Sequence, residues 1–448
     1  MITAPSLLGK LREKLEDGHI KEVLSGSVIA FTFRMASYVL GYGFALIVSR
    51  HYGTRGMGIY SLSLSLLMIL EMLGTLGMKT SILRYAGQYA SGTGNETKLK
   101  GLYRTVLGLV LPVSLALSVL LFLFSPQIAH SFFHHEALAP AFRITSFIAP
   151  FYCVDSLNME LIRGLRNIKL SEFLRNINKS FLSIAFLFAV RAVTSGPYVP
   201  LIAFSLGTLV GSVFSFFLAS KRTGLFSGAS ASLLGKGELI RTSLPMMITG
   251  FSFLIMGKID TVMIAAMGSV EEVGIYSIAL RLAATTSFIL ASINAIAAPK
   301  FAELYWAKNY KDLHRVVRFS SRIIFFFSFP LLLVMTLFPG FMMGLFGRDF
   351  TAGKTSLVFL TVGQFINAAS GSVGNLLNMT GGQKVFRNIV LTAAVMNVLL
   401  NYLLIPVFGI TGAAMATMIS MVFWNLASVG YVYRTSGIQT FYLPLLCR

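Results

Sequence analysis

Charged residues are scarce in this sequence of 448 residues: they make up 12% of it, whereas hydrophobic residues make up 55%. A soluble domain is about one quarter charged, so this chain has too few charged side chains to cover a water-soluble surface. This scarcity excludes a soluble enzyme. The 38 Phe and 16 Tyr exclude a disordered chain, and a mean hydropathy of +0.75 indicates an integral membrane protein.

Cysteine is also rare, since the sequence has only Cys153 and Cys447. Two cysteines exclude a disulfide framework and a cysteine-rich metal site. The segments between apolar runs contain no glycine-rich phosphate loop and no cluster of metal ligands. We therefore expect no cofactor, no metal and no enzyme activity, while a coupling ion, H⁺ or Na⁺, remains open. Residues 1–24 lack the pattern of a cleaved signal peptide, so we expect the first apolar run to remain as a spanning helix.

Long apolar runs dominate the rest of the chain. A bilayer core of about 30 Å is crossed by about 20 helical residues, and twelve runs have that length. Six lie near 25–49, 57–78, 102–124, 138–161, 174–193 and 198–220. The other six lie near 244–267, 273–297, 318–337, 355–377, 385–408 and 411–433. The sequence therefore predicts an all-α integral membrane protein with about 12 transmembrane helices.

Acidic residues are few, 17 against 37 Lys and Arg, which gives a net charge of +20. In a soluble chain this charge would indicate nucleic-acid binding. Here the cations concentrate in alternate connecting segments, and the opposite segments contain only Arg50, Arg55, Arg191, Arg348 and Lys354. Basic loops stay on the cytoplasmic side of a membrane. We therefore predict a multi-pass protein of the cell inner (plasma) membrane with both termini cytoplasmic, and no nucleic-acid partner.

A short motif occurs twice. The sequence GIYS at 58–61 recurs at 274–277, an offset of 216, and the similarity extends without a gap to Tyr89 and Tyr305. Each copy opens the second span of a six-span half, so both halves enter the membrane in the same direction. This predicts two parallel lobes around a central cavity. The predicted parts are an N-terminal segment 1–24, an N-lobe 25–220, a linker 221–243, a C-lobe 244–433 and a tail 434–448.

Four cations are assigned to the predicted spans themselves and not to the segments that connect them: Arg34, Arg143, Lys258 and Arg281. A charge at the middle of the bilayer costs about 2.5–3.5 kcal/mol, so it should face protein or water. We predict that these four residues line a hydrated cavity for an anionic substrate. The alternative is ion pairing, and it would join Arg34 to Glu71 and Arg281 to Asp260.

Acidic residues within the spans are the candidates for ion coupling or for ion pairs. They are Glu71, Asp155 and Asp260. A carboxylate that faces the cavity could bind a coupling proton or a sodium ion. Lys179 belongs to a second polar stripe around Asp155, and we expect this lysine to lie at the cytoplasmic interface.

Three stretches of the sequence together resemble one known family. They are RHYG at 50–53 with GIYS at 58–61, then KIDT at 258–261 with VGIY at 273–276, and finally FGRDF at 346–350 with LIPVFGITGAA at 404–414. This pattern resembles the polysaccharide-transporter, or Wzx-type, branch of the multidrug/oligosaccharidyl-lipid/polysaccharide (MOP) exporter superfamily. The resemblance implies two six-helix lobes that form a V around a cationic cavity.

The resemblance also implies a function, which is to flip a polyprenyl-diphosphate-linked oligosaccharide to the outer leaflet by alternating access. It implies Arg34, Lys258 and Arg281 as cavity residues and Asp260 as the mid-chain acidic position of the family. The expected partners are the lipid-linked substrate, membrane lipids, glycosyltransferases and a polysaccharide polymerase, with a monomeric transport unit. The alternatives are a cation-coupled multidrug exporter of the same superfamily, a lipid II-type flippase and a membrane glycosyltransferase.

Overall fold

The computed structural model describes residues 18–90, 96–226 and 235–442, with most of the side chains from Phe31 onward. Within these ranges the chain is helical and contains no strand. The helices are α1 (Gly18–Gly74), α2 (Met78–Ala90), α3 (Glu96–Gln127), α4 (Leu138–Gly164), α5 (Ile168–Glu172), α6 (Lys179–Val193), α7 (Val199–Thr223), α8 (Lys236–Met267), α9 (Val270–Ala283), α10 (Thr285–Trp306), α11 (Tyr310–Leu337), α12 (Pro339–Gly344), α13 (Lys354–Ser370), α14 (Val373–Met379) and α15 (Gln383–Ser436). Most of the predicted 1–24 segment and parts of the predicted linker and tail lie outside the described residues.

Two of these helices reverse direction at a glycine. Gly53 in α1 has φ 64° and Gly409 in α15 has φ 56°, a left-handed conformation that glycine adopts without steric cost. The rings of Phe44 and Tyr60 lie 5.2 Å apart, centroid to centroid, on either side of the first bend. A straight helix would separate two residues sixteen positions apart by about 24 Å. Each long helix therefore folds back on itself and contains two of the predicted spans.

Eight helices in the described ranges are long and apolar enough to cross a membrane, or nine if the bent pair formed by Arg348–Ser370 and Val373–Met379 is one span. Two of the eight are the folded helices α1 and α15. The helix α4 matches a predicted span in position but carries Arg143, Asp155 and Glu160. The chain is therefore a multi-pass membrane protein, and the count of twelve spans remains a prediction.

The two copies of the GIYS motif face each other across the contact between the lobes. A Cβ atom on Gly58 would lie 1.8 Å from the carbonyl oxygen of Val270, and one on Gly274 would lie 2.0 Å from the carbonyl oxygen of Thr54. Thr54 and Val270 are also related by the offset of 216. The contact of Gly58 with Val270 and the contact of Gly274 with Thr54 are therefore the same contact made in the two directions between the lobes. This reciprocity requires a twofold relation between parallel lobes, which confirms the predicted architecture.

The lobes touch near both ends of the helices. At the end that carries the Gly53 and Gly409 bends, here called the far face, Arg55 Nε lies 3.8 Å from Glu271 Oε1. The opposite end, where α1 begins and α15 ends, is called the terminal face. There the hydroxyl groups of Ser81 and Ser243 lie 2.7 Å apart. The space between these two layers of contacts is the central cavity.

Candidate substrate cavity

The cavity between the lobes has a volume of about 610 Å³. Its walls come from α1, α6 and α7 on the N-lobe side and from α8, α9, α13 and α15 on the C-lobe side. Three cations, Lys179, Lys258 and Arg281, are among the lining residues, together with several Ser, Thr and Tyr side chains. No carboxylate is among the lining residues in the described part of the chain. The cavity is therefore positively charged and able to donate hydrogen bonds.

Arg281 spans the boundary between the lobes. Its Nη1 atom donates a hydrogen bond of 2.7 Å to the carbonyl oxygen of Gly41 in α1. The hydroxyl group of Tyr42 donates to the Arg281 carbonyl oxygen at 2.7 Å and also contacts the hydroxyl group of Thr285. These contacts fix the side chain against α1 without neutralising its charge. The alternative, an ion pair with Asp260, is not formed, because that carboxylate lies in a polar cluster of its own.

Lys258 and Lys179 differ in their partners. Lys258 lines the cavity and forms no ion pair with any described residue. Lys179 Nζ lies 2.7 Å from Asp155 Oδ2 and 4.2 Å from the centre of the Tyr152 ring. The Asp155 side chain is 1% exposed and the Lys179 side chain is 16% exposed. Lys258 is thus a cation of the cavity wall without an acidic partner among the described residues, whereas Lys179 is paired with Asp155.

Asp155 is in turn held by a chain of hydrogen bonds within the N-lobe. Ser215 Oγ donates to Asp155 Oδ1 at 2.6 Å. Asn158 Nδ2 donates to Ser215 Oγ at 3.1 Å, and Tyr103 Oη donates to Asn158 Oδ1 at 2.7 Å. Buried polar groups are stable only when they find such partners. This chain therefore fixes the carboxylate that positions Lys179.

Asp260 lies in a buried cluster of oxygen and amide groups in the C-lobe. Tyr276 Oη donates to Asp260 Oδ2 and Asn401 Nδ2 donates to Oδ1, both at 2.7 Å, and Thr417 Oγ1 also contacts Oδ2. Asn401 Nδ2 contacts Asn397 Oδ1 at 3.1 Å. Thr417 also lines the cavity. Thr417 therefore contacts the carboxylate and also forms part of the cavity wall.

The described part of the N-lobe has no matching cluster at the equivalent position. The offset of 216 pairs Asp260 with Phe44 and Tyr276 with Tyr60. Where the C-lobe has a hydrogen bond between carboxylate and phenol, the N-lobe has a contact between the Phe44 and Tyr60 rings. The two residues of each pair thus contact each other in both lobes. The contact is polar in the C-lobe and aromatic in the N-lobe.

Comparison with known proteins decides the family. The model of the polysaccharide biosynthesis protein family matches residues 23–305, more than half of the chain, and the MatE model matches residues 245–403. The chain belongs to the polysaccharide biosynthesis protein family. This places it in the Wzx-type polysaccharide-transporter branch of the MOP exporter superfamily, as the sequence motifs predicted.

Several similar proteins are named as transporters or flippases. A Shigella flexneri protein whose name describes it as an O-antigen transporter is 20% identical, and the match covers 84% of this chain and 89% of that protein. An inward-facing multidrug MATE transporter of the MOP superfamily has a TM-score of 0.72 at 16% identity, covering 92% of this chain and 98% of its own. The lipid II flippase MurJ has a TM-score of 0.71 at 15% identity, covering 91% and 87%. The protein is a transporter of this superfamily and not an enzyme.

Two other predicted residues, Arg34 and Glu71, are not among the residues that line the cavity. Arg34 is four residues before the cavity residue Tyr38 in α1, and its Nε atom lies 3.6 Å from Glu172 Oε2. Glu71, proposed as the partner of Arg34, pairs instead with Lys79 at 2.7 Å between Oε1 and Nζ. Glu71 pairs with Lys79 because α2 begins directly after the end of α1, which places Lys79 next to Glu71.

The structure does not bring Arg143 to the cavity. Its side chain is exposed on α4, where Nε donates to Ser125 Oγ at 3.3 Å and the guanidinium group lies 5.8 Å from the centre of the Phe122 ring. The prediction rested on depth in the membrane, and depth does not determine which side of a helix faces the partner lobe. Arg143 lies on the side of α4 that carries the exposed Phe147.

Sequence reasoning missed four residues of the site. Lys179 was expected at the interface, yet it lines the cavity. Asn397, Asn401 and Thr417 complete the Asp260 cluster. The two asparagines are spaced by four residues within an apolar run, which places both on one face of a helix. That spacing was the available signal for a polar site in the C-lobe.

Proposed function

We propose that this transporter is a flippase that moves a polyprenyl-diphosphate-linked oligosaccharide from the cytoplasmic to the outer leaflet. The observation that carries this proposal is the set of three cations, Lys179, Lys258 and Arg281, in a cavity without a carboxylate among its described lining residues. A diphosphate loses its hydration when it enters a membrane protein. Charge-assisted hydrogen bonds from Lys and Arg replace that hydration, and the Ser, Thr and Tyr hydroxyl groups of the wall suit a sugar.

Alternating access is the transport mechanism that we propose. The lobes are parallel repeats that meet at the paired glycines Gly58 and Gly274, which supply a close contact about which the lobes can rock. Opening the terminal face would separate Ser81 from Ser243, and opening the far face would separate Arg55 from Glu271. The head group would cross within the cavity while the lipid tail remains in the bilayer. The cytoplasmic position of the terminal face, in the inner membrane, is part of this proposal.

A cation-coupled multidrug exporter is the second candidate, and the likeness to a multidrug MATE transporter supports it. Many drugs exported in this way are organic cations, and a wall with three positive charges repels them. The same argument does not separate our proposal from a lipid II-type flippase, whose substrate also carries a diphosphate. A membrane glycosyltransferase would need acidic residues placed for acid–base chemistry, and the described cavity wall has none.

We further propose that a sodium ion, or a proton, couples to transport at Asp260. The side-chain oxygens of Asp260, Asn397 and Thr417 lie within one hydrogen-bonded cluster, and Asn401 Oδ1 is buried without a hydrogen-bond partner. Hard cations prefer such oxygen ligands. Because Thr417 also lines the cavity, an ion at Asp260 would alter the position of a wall residue. That contact could link ion binding to the state of the cavity.

The expected partners of the flippase are enzymes that make and use its substrate. Glycosyltransferases would assemble the sugar on its lipid carrier, and a polysaccharide polymerase would consume the translocated product. Since the cavity lies between two lobes of one chain, we propose a monomeric transport unit.

Vesicle translocation tests the proposed function. Purified protein is reconstituted in lipid vesicles with a fluorescent polyprenyl-diphosphate-linked oligosaccharide, and a membrane-impermeant quencher reports the fraction of label in the outer leaflet. We expect the protein to make the label in both leaflets accessible within the assay, whereas protein-free vesicles protect about half of it. Failure to move any diphosphate-linked lipid, together with transport of a fluorescent organic cation, would favour the multidrug exporter.

A further inference from the structure

Arg143 is a cation without an acidic partner on the lipid-exposed surface of the N-lobe. Among the described residues its hydrogen-bond partner is the hydroxyl group of Ser125 at 3.3 Å, and no carboxylate lies within 4 Å. Ser125 cannot neutralise the guanidinium group. Charged side chains in membrane segments are costly and usually mark a site of function, so this position calls for an anion from outside the chain.

An apolar groove of about 570 Å³ begins beside Arg143. Phe122, whose ring lies 5.8 Å from the guanidinium group, is one of its lining residues. The groove runs between α3, α4 and α7, and exposed side chains such as Phe147 and Val213 form its rims. Small residues, including Ser118, form its floor. A cation thus lies at one end of an apolar channel that is open to the bilayer.

The dimensions of this arrangement match one leaflet of a membrane. Arg143 is five residues after the start of α4, about 7.5 Å along the helix axis, and therefore near the far face. The groove residues of α4 extend from Ser146 to Val154, so the last of them lies about 16 Å deeper than Arg143. One leaflet of a hydrocarbon core is about 15 Å thick. An acyl chain that hangs from a phosphate at Arg143 would fill the groove along its length.

We propose that this groove is a binding site for a net-anionic phospholipid of the far-face leaflet, with its phosphate on Arg143 and one acyl chain between α3, α4 and α7. The groove shares no lining residue with the central cavity, so the site is separate from the proposed transport path. It offers one cation, which matches a phosphodiester rather than a diphosphate. A net-anionic lipid is preferred because its head group carries no ammonium ion to compete with the guanidinium group.

Quenching of a tryptophan by brominated lipid tests this proposal. Phe147→Trp is made in a chain whose native tryptophans are replaced, Trp306→Phe and Trp424→Phe. The protein is reconstituted in phosphatidylcholine vesicles with increasing fractions of phosphatidylglycerol brominated on its acyl chains. We expect half-maximal quenching at a mole fraction at least threefold lower than for Phe188→Trp, since Phe188 is 55% exposed on α6 but lies outside the groove.

Two further variants separate the charge from the groove. Arg143→Gln should raise the half-quenching fraction at Phe147→Trp to that of the Phe188→Trp control, and Arg143→Lys should retain most of the difference. Ser118→Leu keeps the charge but fills the floor of the groove, so it should also abolish the enrichment. Gel filtration and circular dichroism establish that each variant is folded. Equal quenching at the two positions, or equal enrichment of brominated phosphatidylcholine and phosphatidylglycerol, would overturn the proposal.

Discussion

Replacing Lys258 by Gln separates substrate binding from stability. Lys258 lines the cavity and forms no ion pair with a described residue, so its removal leaves no carboxylate unpaired. A hydrogen bond to a charged group contributes about 1.5–3 kcal/mol, and each 1.4 kcal/mol is about tenfold in affinity. We therefore expect Lys258→Gln to weaken the apparent affinity for a diphosphate-linked lipid by roughly 10- to 100-fold, with little change in melting temperature.

The assay is the initial rate of translocation in vesicles at increasing fractions of the labelled lipid. Lys258→Arg should keep most of the affinity, and Lys311→Gln, at an exposed lysine of α11, should behave like the wild type. The reasoning fails if Lys258→Gln binds its substrate as well as the wild type does. It also fails if the variant loses several degrees of thermal stability, because Lys258 would then be part of a structural pair.

Three further predictions concern the buried groups. Lys179→Gln leaves Asp155 buried and unpaired, which should destabilise the protein by about 3–5 kcal/mol. Adding Asp155→Asn should restore most of the melting temperature measured in detergent. If the double variant shows no recovery, the pairing is contradicted. The wild-type protein should have a higher melting temperature in sodium chloride than in choline chloride. At a sodium concentration of 100 times the Kd, the bound ion would stabilise the folded protein by about 2.7 kcal/mol. Asp260→Asn should abolish that difference, and a sodium effect that persists would remove the ion from this site. Gly274→Ala places a Cβ atom 2.0 Å from a backbone oxygen of the other lobe, and it should lower the stability by about 1–3 kcal/mol. The control is Gly430→Ala, whose added Cβ atom would have no other atom within 4 Å. It should leave the melting temperature unchanged.

The architecture could be predicted from the sequence because the lobe contact is encoded in a repeat. The GIYS motif contains the glycine that each lobe needs where the other backbone approaches within van der Waals contact. The bends at Gly53 and Gly409 fall between predicted spans for a related reason, since glycine adopts positive φ without strain. Lys258 and Arg281 were predicted to line the cavity because their depth in apolar runs is costly.

Side-chain positions that depend on which side of a helix faces the neighbouring helices could not be predicted from the sequence. Arg143, like Arg281, falls within an apolar run, but it lies on the outer side of its lobe. Lys179 is drawn to the cavity wall by Asp155, which lies in another helix. The pairs of Arg34 with Glu172 and of Glu71 with Lys79 depend on how helices pack, and periodicity along one helix contains no information about its neighbour.

Protection of a cavity cysteine tests most directly whether phosphate groups enter the space between the lobes. Ser277, which lines the cavity, is changed to Cys in a chain with Cys153→Ala and Cys447→Ala, and its reaction with a negatively charged methanethiosulfonate reagent is timed. We expect reaction from water, and we expect a diphosphate-linked lipid to slow it in the wild-type background but not together with Lys258→Gln. A cysteine that never reacts, or one whose rate the lipid leaves unchanged, would contradict a wet cationic cavity that binds the transported head group.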